Sequence, residues 1–343
     1  MNDELLLLRG TLDEAMSARF PADWEPAAEY AFEADAWGEA VELGWDQIAL
    51  PDELGGLGES AEVLAMPARA CGRNRYPVPL VESVLGRAAI AAAGLEQPPE
   101  GDLVTIAPAA FDGALPAGDR LSGRASRVPW GREARWAVLG DGPIALCDLA
   151  APGVVVGHGA NLAGEPRDEI AFESVPAERG ELPHPGWLGG RASLARSAQI
   201  AGALAASLRL THEYTGARKQ FGRPLARFQM VGAHLASMAA EGALLDAALE
   251  DAVRAYEAGD GAVSGDCLRV VAARAATAAA RSAHQSHGAI GVTREYRLWQ
   301  YTTRLWSWRE EFGDEFTAAR ALGAAVGGGA DLWDLSTPAE VAA

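Results

Sequence analysis

The stretch RKQFGRPLARFQ, residues 218–229, separates two Ala-rich segments and decides how the C-terminal half of the chain folds. Arg and Lys at a helix end are favoured by the helix dipole by roughly a few tenths of a kcal/mol. Gly222 permits a tight turn, and Pro224 suits the first turn of a new helix. Two interpretations are open: a charged helix end with a turn, or an anion site where Arg218 makes forked hydrogen bonds to a phosphate.

The segment after this stretch carries the clearest helical pattern of the chain. Apolar residues recur every three or four positions, which predicts one long helix with a single buried stripe. Residues 191–216, 264–287 and 296–323 predict three further long helices, so we expect an up-and-down bundle. The stripe consists of Phe228, Val231, Leu235, Met238, Gly242, Leu245, Leu249, Val253 and Tyr256.

Composition divides the chain into three predicted domains and an α+β, mostly α, fold class. Residues 1–100 are rich in Ala, Leu and Glu and predict an N-terminal helical domain. Residues 101–182 predict a small antiparallel β domain, and residues 183–343 predict the C-terminal long four-helix bundle. The expected strands are LVTIAP, RWAVLG, PIALCDL, GVVVGHG and EIAFESV.

Charge and cysteine usage narrow the class of protein. The 343 residues carry a formal net charge of −18, which disfavours nucleic acid and anionic membrane surfaces as partners. Cys71, Cys147 and Cys267 are far apart and form no CxxC pair, which is typical of reduced cytosolic proteins. The N-terminus is acidic, unlike a signal peptide, and no apolar run is long enough to span a bilayer. We therefore expect a cytoplasmic protein.

A second stretch, HQSHGAIGVTREYRLWQYTTR at residues 284–304, also runs from a predicted helix end into a Gly turn. Gln285 precedes Gly288 and Gly291, a spacing that is not a dinucleotide-binding Rossmann pattern because no strand precedes it. His284 and His287 stand at i and i+3, but no carboxylate or thiolate accompanies them at a convincing spacing. The sequence therefore predicts no metal site.

Taken together, these motifs resemble those of the acyl-CoA dehydrogenase family. RKQFGRPLARFQ matches its R-x-Q-F-G motif with a following F-Q, and QSHGAIG matches its later Q-x-x-G-G-x-G motif. GWDQIALPDELGGLG at residues 44–58 resembles its Gly-Trp entry stretch, and residues 122–139 resemble a strand pair of its middle domain. The four matches follow the family order over essentially the whole chain.

The resemblance implies an FAD-dependent enzyme that oxidises acyl-CoA thioesters to 2-enoyl-CoA and passes electrons to an electron-transfer flavoprotein or similar acceptor. In that family the Arg and Gln-Gly motifs of one subunit reach the FAD pyrophosphate and adenosine held by its neighbour. Gly222 would then permit the close approach of Arg218 to the pyrophosphate. The residues expected to bind FAD are Arg218, Gln220, Phe221, Gln229, Gln285, Gly288 and Gly291.

Several family features are missing from this sequence. The flavin-wrapping T-E-P-x-x-G-S-D segment is replaced by VTIAPAAFDGALPAGD, and the family's flavin-contacting Trp/Tyr-Ile-Thr segment is absent. Gly313 stands at one usual position of the catalytic Glu, and Ala192 and Ser193 stand at the other. Glu311 and Asp314 are the candidate catalytic bases that remain.

This pattern of losses resembles the smaller, degenerate subunit of actinobacterial α2β2 acyl-CoA dehydrogenases of steroid side-chain catabolism. The resemblance implies a homologous partner subunit that bears the base and, as substrate, an acyl-CoA such as a steroid side-chain CoA thioester. Two alternatives stay open: a self-sufficient homotetramer with a relocated base near Glu311 or Asp314, and a flavin-free structural subunit. A flavin-dependent oxygenase is disfavoured, because the sequence lacks segments that surround the flavin and has no new group of candidate catalytic residues in their place.

Overall fold

The computed structural model describes residues 3–20, 32–58, 60–109, 111–112, 119–259 and 261–328. The chain forms two compact units, Met1–Ala195 and Arg196–Ala343. The threefold division at residues 100 and 182 remains a prediction. Among the described residues, no helix is both long and apolar enough to cross a lipid bilayer.

The first unit begins with short helices, as the composition predicts. The helix α3 starts where the Ser60 hydroxyl accepts the Val63 amide at 3.1 Å, an N-cap that satisfies one orphan donor of the first turn. Single-turn 3-10 helices cover Trp45–Gln47 and Asp52–Leu54 within the GWDQIALPDELGGLG stretch. The helices are α1 (Asp3–Arg19), α2 (Ala34–Glu42), α3 (Ala61–Asn74) and α4 (Leu80–Ala92).

A buried ion pair ties the first of these 3-10 turns to α4. The Arg87 Nε atom lies 3.3 Å from an Asp46 carboxylate oxygen, and both side chains are almost fully buried. The same guanidinium donates to the carbonyls of Pro98, Pro99 and Asp102 at 2.8–3.1 Å. Burial raises the pKa of Asp46 above its usual value. Arg87 therefore links α4 to Asp46, which is more than 40 positions earlier in the chain, and to the loop with Pro98, Pro99 and Asp102. We assign Arg87 a structural role.

The middle of the chain forms a seven-stranded sheet with the order β1-β4-β5-β7-β3-β2, and β6 pairs with β7. All five predicted strand segments are present, but the sheet is mixed, so the expectation of a purely antiparallel domain is wrong. β1 and β4 run parallel, and the chain between them, residues 108–135, has the length that a parallel connection requires. The strands are β1 (Val104–Ala107), β2 (Phe111–Asp112), β3 (Arg120–Pro129), β4 (Trp136–Leu139), β5 (Pro143–Asp148), β6 (Val154–Gly157) and β7 (Arg167–Glu181).

The C-terminal part of the chain is helical, with one small β-ribbon. The predicted stripe of α6 is only partly covered: Met238, Leu245 and Leu249 are buried, whereas the other stripe residues are half-buried. Gly242 sits where a Cβ would lie 3.2 Å from Leu204, which allows close packing against α5. The elements are α5 (Trp187–Ala217), β8 (Lys219–Gln220), β9 (Arg223–Pro224), α6 (Gln229–Glu257), α7 (Gly261–His287), α8 (Leu298–Trp308) and α9 (Glu315–Gly327), with 3-10 helices at Leu225–Arg227 and Gly288–Val292.

The last predicted helix, residues 296–323, is two helices rather than one. Phe312 and Gly313 have φ values of 54° and 108°, a left-handed stretch that no α-helix can continue through. Asp314 then caps α9, because its carboxylate accepts the Thr317 amide at 2.9 Å. The break after α8 therefore corrects the expectation of four uninterrupted helices, and it places Glu311 and Asp314 in a loop.

Candidate functional site

The opening motif forms a two-stranded ribbon, residues 218–224, at the end of α5. Gln220 pairs with Arg223 across the turn. Both central residues of that turn, Phe221 and Gly222, have positive φ, at 50° and 78°. A two-residue hairpin with positive φ at both central positions is a type I′ turn. The predicted Gly turn is confirmed, and Phe221 adopts a backbone conformation that costs a non-glycine residue about 1–2 kcal/mol.

The side chains of residues 218–223 in the ribbon are exposed. Phe221 is 91% exposed and meets Phe228 edge to face, with ring centroids 6.1 Å apart. The Arg223 guanidinium lies 4.2 Å from the centroid of the Phe228 ring, a cation–π contact. Arg218 and Gln220 are also exposed. Phe221 is therefore held outward by a strained turn, with the edge-to-face contact to Phe228 but almost no burial in its own chain.

The charge of the ribbon is opposite to that of the whole protein. Arg218, Lys219, Arg223 and Arg227 follow one another with no Asp or Glu between Glu213 and Glu241. In the described part of the chain, no carboxylate lies within ion-pair distance of Arg218. The protein has a net charge of −18, so a cluster of uncompensated cations is a local anion-attracting feature.

The second motif forms the wall of a groove in the same unit. α7 ends at His287, and the turn Gly288–Val292 begins with Gly288 at φ 66°. The groove has a volume of about 770 Å³. Gln285 and Gly288 line it, and Gln285 is exposed with no hydrogen-bonding partner among the described residues. The other lining residues are His234, Arg281, Ser282, His284, Ala289, Val292 and Trp306.

Gly291 lies underneath this turn rather than in the groove. A Cβ at Gly291 would stand 2.8 Å from the His287 Cβ and 3.3 Å from a methyl group of Leu298. Such distances require glycine, because the first is shorter than carbon atoms tolerate. Gly291 therefore shapes the turn by permitting close packing, whereas Gly288 lies at its surface.

A stack of three aromatic rings connects the two motifs, and no sequence pattern predicted it. The Tyr214 ring stacks on His287 with centroids 4.5 Å apart, and Tyr296 contacts both rings at 5.5 and 5.0 Å. Arg218 follows Tyr214 by one helical turn, about 5.4 Å of rise. His287 directly precedes Gly288. The stack therefore fixes the base of the ribbon next to the base of the Gly288–Val292 turn.

The two histidines near this stack are structural rather than metal-binding. His287 Nδ1 donates to the Ala283 carbonyl at 2.8 Å, and His284 Nε2 forms a hydrogen bond with the Thr302 hydroxyl, with 2.9 Å between the two atoms. Burial lowers the pKa of both rings below the usual histidine value, which favours the neutral form. Among the described residues, no group of three or more His, Cys, Asp or Glu side chains is arranged to hold a metal ion.

The two candidate bases have contacts of their own. Glu311 is buried and forms an ion pair with Arg196, with Oε2 and Nη2 3.1 Å apart. Asp314 accepts both the amide and the hydroxyl of Thr317, at 2.9 and 2.8 Å. These hydrogen bonds hold the pKa of Asp314 below its usual value. Each carboxylate therefore has a structural partner, Arg196 on α5 for Glu311 and Thr317 on α9 for Asp314.

The positions expected to bind FAD fall into two groups. Arg218, Gln220 and Phe221 belong to the ribbon, and Gln229 is the first residue of α6 and exposed. Gln285 and Gly288 belong to the groove. In the segment VTIAPAAFDGALPAGD, Ala110 and residues 113–118 lie outside the described residues, so the replacement of the T-E-P segment rests on the sequence alone.

Two family models match the chain. The acyl-CoA dehydrogenase N-terminal domain matches residues 2–98, and the acyl-CoA dehydrogenase C-terminal domain matches residues 189–313. Among curated proteins, acyl-CoA dehydrogenase IpdE2 of Mycobacterium tuberculosis is 27% identical over 81% of this chain and 82% of its own length. Acyl-CoA dehydrogenase FadE27 of the same organism is 29% identical over 80% of this chain and 83% of its own length.

Solved structures share the fold over nearly the whole chain. A chain of the ChsE4-ChsE5 complex from Mycobacterium tuberculosis aligns with a TM-score of 0.84 at 22% identity, covering 99% of both chains. A chain of the Tcur3481-Tcur3483 steroid ACAD G363A variant aligns with a TM-score of 0.85 at 25% identity, covering 95% of this chain and 98% of that one.

Proposed function

Because the chain belongs to the acyl-CoA dehydrogenase family of oxidoreductases that act on acyl-CoA, we propose that it is one subunit of an FAD-dependent acyl-CoA dehydrogenase that donates FAD contacts across a subunit interface. The observation that carries this proposal is the outward-facing ribbon. Arg218 has no carboxylate partner in the described chain, and Phe221 is 91% exposed. Both side chains are exposed in their own chain, where a neighbouring subunit can present a ligand to them.

The residues present fit the anionic half of FAD. Arg218 supplies a guanidinium for a phosphate, and the left-handed Phe221–Gly222 turn keeps the backbone beside it open for close approach. Gln285 offers an exposed amide, and Gly288 offers backbone at a turn without a side chain. FAD bound there would supply the acceptor for the hydride that leaves the β-carbon of the acyl group. The residues of this chain bind and orient, and none of them is assigned the transfer of a proton.

The base is proposed to come from a homologous partner subunit in an α2β2 assembly. Gly313 cannot act as a base. Glu311 already neutralises the buried Arg196, and Asp314 is a helix cap with a depressed pKa. Two of the similar structures are named as two-component assemblies, ChsE4-ChsE5 and Tcur3481-Tcur3483, which supports a partner of the same family.

The substrate is proposed to be the CoA thioester of a bulky acyl chain, such as a steroid side chain, with electrons passed to an electron-transfer flavoprotein or similar acceptor. The support for this substrate is the similarity to the Tcur3481-Tcur3483 steroid ACAD, whose aligned chain is 25% identical to this one. A competition between a steroid side-chain CoA ester and straight-chain acyl-CoA esters tests this proposal. Equal turnover of butyryl-CoA would contradict it.

The decisive experiment compares Arg218→Ala with Arg209→Ala in the purified flavoprotein. Loss of a charge-assisted contact to phosphate costs about 2–3 kcal/mol, which is roughly 30–150-fold in the dissociation constant of FAD. Arg209 is the matched control, because it lies on α5, which leads into the ribbon, and pairs with Glu213 at 2.9 Å. FAD affinity is measured by reconstituting the apoprotein and following flavin fluorescence. Unchanged FAD affinity in Arg218→Ala would contradict the proposal.

The visible spectrum of the chain alone and with its partner tests where the complete site lies. A colourless single chain and a complex with a flavin band at roughly 450 nm are expected. A stable flavin band and turnover in the single chain would instead establish the self-sufficient homotetramer. In that case Glu311→Gln and Asp314→Asn would identify the base.

A further inference from the structure

The last two turns of α5 carry aromatic contacts that the proposed function does not use. The Tyr214 ring stacks on His287 with an angle of 18° between the planes, and Tyr296 contacts both rings. The Tyr296 hydroxyl lies 3.5 Å from the Leu210 carbonyl, and the Tyr214 hydroxyl lies 3.5 Å from the His287 carbonyl. These contacts join α5 to the end of α7 and to the segment that follows the Gly288–Val292 turn.

An ion pair joins the same segments, but it is exposed. The Arg297 Nη2 atom lies 3.9 Å from a carboxylate oxygen of Glu213, and Glu213 is shared with Arg209. Exposed pairs of this kind contribute little, because water and salt screen them. Stacked aromatic rings stabilise beyond the area that they bury. The three rings therefore hold α5 against residues 287–297 more firmly than the ion pair does.

The backbone transmits the position of Tyr214 to the ribbon. The Arg218 amide donates to the Tyr214 carbonyl at 2.8 Å, and the Leu225 amide donates to the Arg218 carbonyl at 2.9 Å. Residues 218–223 are exposed, so the ribbon gains little from burial in its own chain. The position of Arg218 therefore depends on the last turn of α5, which the stack holds against His287.

We infer that Tyr214 is a positioning residue, which holds Arg218 at a fixed distance from the Gly288–Val292 turn so that one FAD molecule meets both. The inference rests on the proposed function, in which both motifs contact FAD. Groups that are already held in place lose less conformational freedom on binding than groups that must first be ordered. Arg218 supplies the charge, and Tyr214 fixes where this charge is presented. Tyr214 lies outside the motifs that identified the family.

Substitution of Tyr214 in the purified flavoprotein tests this role. Tyr214→Leu removes the aromatic ring, whereas Tyr214→Phe keeps the ring and loses only the hydroxyl. Tyr256→Leu is the matched control, because Tyr256 is a half-buried tyrosine of α6 whose ring lies against Gly261, outside the stack. FAD affinity is measured by reconstituting the apoprotein, and urea unfolding measures the stability of each variant.

Tyr214→Leu is expected to weaken FAD binding by about fivefold or more, with Tyr214→Phe and Tyr256→Leu within about twofold of wild type. A purely structural role predicts instead that FAD affinity follows stability, so that Tyr256→Leu loses affinity as well. In an Arg218→Ala background, Tyr214→Leu has no further effect on FAD affinity, because it acts through Arg218. An additive loss in the double variant overturns the inference, as does wild-type affinity in Tyr214→Leu.

Hydrogen exchange in the flavin-free protein supplies a readout that involves no FAD. The amides of Arg218 and Leu225 are expected to exchange about fivefold faster or more in Tyr214→Leu, and at the wild-type rate in Tyr214→Phe. Unchanged exchange of the ribbon in Tyr214→Leu overturns the inference. If Tyr214→Leu fails to fold, Tyr296→Leu and Tyr296→Phe replace the Tyr214 variants in every measurement, because Tyr296 belongs to the same stack. Failure of both leucine variants to fold also overturns the inference, since the stack is then required for the whole fold.

The result for Arg218→Ala keeps this inference separate from the proposed function. If Arg218→Ala loses FAD affinity while Tyr214→Leu does not, the positioning role fails and the proposed function stands. If Arg218→Ala keeps wild-type FAD affinity, the proposed function fails, and the positioning role fails with it whatever the exchange rates.

Discussion

Two loops of the C-terminal unit share a left-handed Phe-Gly turn but differ in the burial and pairing of their side chains. The ribbon after α5 turns through Phe221 and Gly222, and the loop after α8 turns through Phe312 and Gly313. Both are Phe-Gly pairs with positive φ, and both are rich in charged residues. In the ribbon, Phe221 is exposed and Arg218 has no carboxylate partner in the described chain. In the other loop, Glu311 is buried against Arg196 and Phe312 lies 5.1 Å from the same guanidinium.

The difference shows how to separate a binding motif from a structural one when the sequences look alike. Charges that have found partners within their chain stabilise the fold, and losing one partner leaves the other buried and unpaired. Charges without partners contribute little to folding and are available to a ligand. Three experiments test whether this distinction between the loops holds, and they are given in order of decreasing expected change in stability.

Glu311→Ala gives the largest expected loss of stability. It removes the carboxylate that pairs with the buried Arg196. Arg196 also lies close to a second buried cation, Arg269, whose pKa is lowered to about 10 by burial and by Arg196. Breaking a buried ion pair costs about 3–5 kcal/mol. Urea unfolding measures the change, with Glu213→Ala as the control because its ion pair with Arg209 is exposed. A loss below 1 kcal/mol would show that the two loops do not differ in this way.

Substituting the two left-handed phenylalanines is expected to give effects of opposite sign. Phe221→Asn relieves the strain of a bulky residue in that conformation and gains up to about 1 kcal/mol of stability. Phe312→Asn relieves similar strain but loses half-buried apolar surface and the contact with Arg196, for a net loss of about 1–2 kcal/mol. Thermal unfolding of both variants measures the difference. Equal changes in the unfolding temperature of the two variants would contradict the difference between the loops.

Asp314→Ala removes the N-cap of α9 and is expected to cost about 1 kcal/mol. The pKa of Asp314 is lowered in the folded protein, so its contribution is present above the unfolded pKa of about 3.9. It is lost as the pH falls through the folded pKa. Asp314→Asn is the control, because Asn caps equally well but does not titrate. Unfolding from pH 7 to pH 3 should show a larger loss of stability in wild type than in Asp314→Asn, because other carboxylates such as Asp168 titrate in both proteins.

Local backbone structure was predictable because neighbouring residues set it. The Gly turn at RKQFG, the short strands between residues 101 and 182 and the helical periodicity after Phe228 are all present. The expectation that Pro224 begins the next helix is wrong, because Pro224 ends the strand β9, a 3-10 turn follows it, and α6 begins at Gln229. The family itself followed from the order of four short motifs, and the family models confirm it. The parallel pairing of β1 with β4 was missed, because strand direction depends on the path of the intervening chain.

The succession of helical, β and helical regions, the family and the position of each motif along the chain could be read from the sequence. The pairing of charges could not, since Arg196 and Glu311 are 115 positions apart and look no different from Arg218 in the sequence. The stack of Tyr214, His287 and Tyr296 and the groove with Arg281 and Trp306 also arise from distant segments. Periodicity and turn residues act over a few positions, whereas charge pairing and ring stacking depend on which distant segments meet when the helices pack.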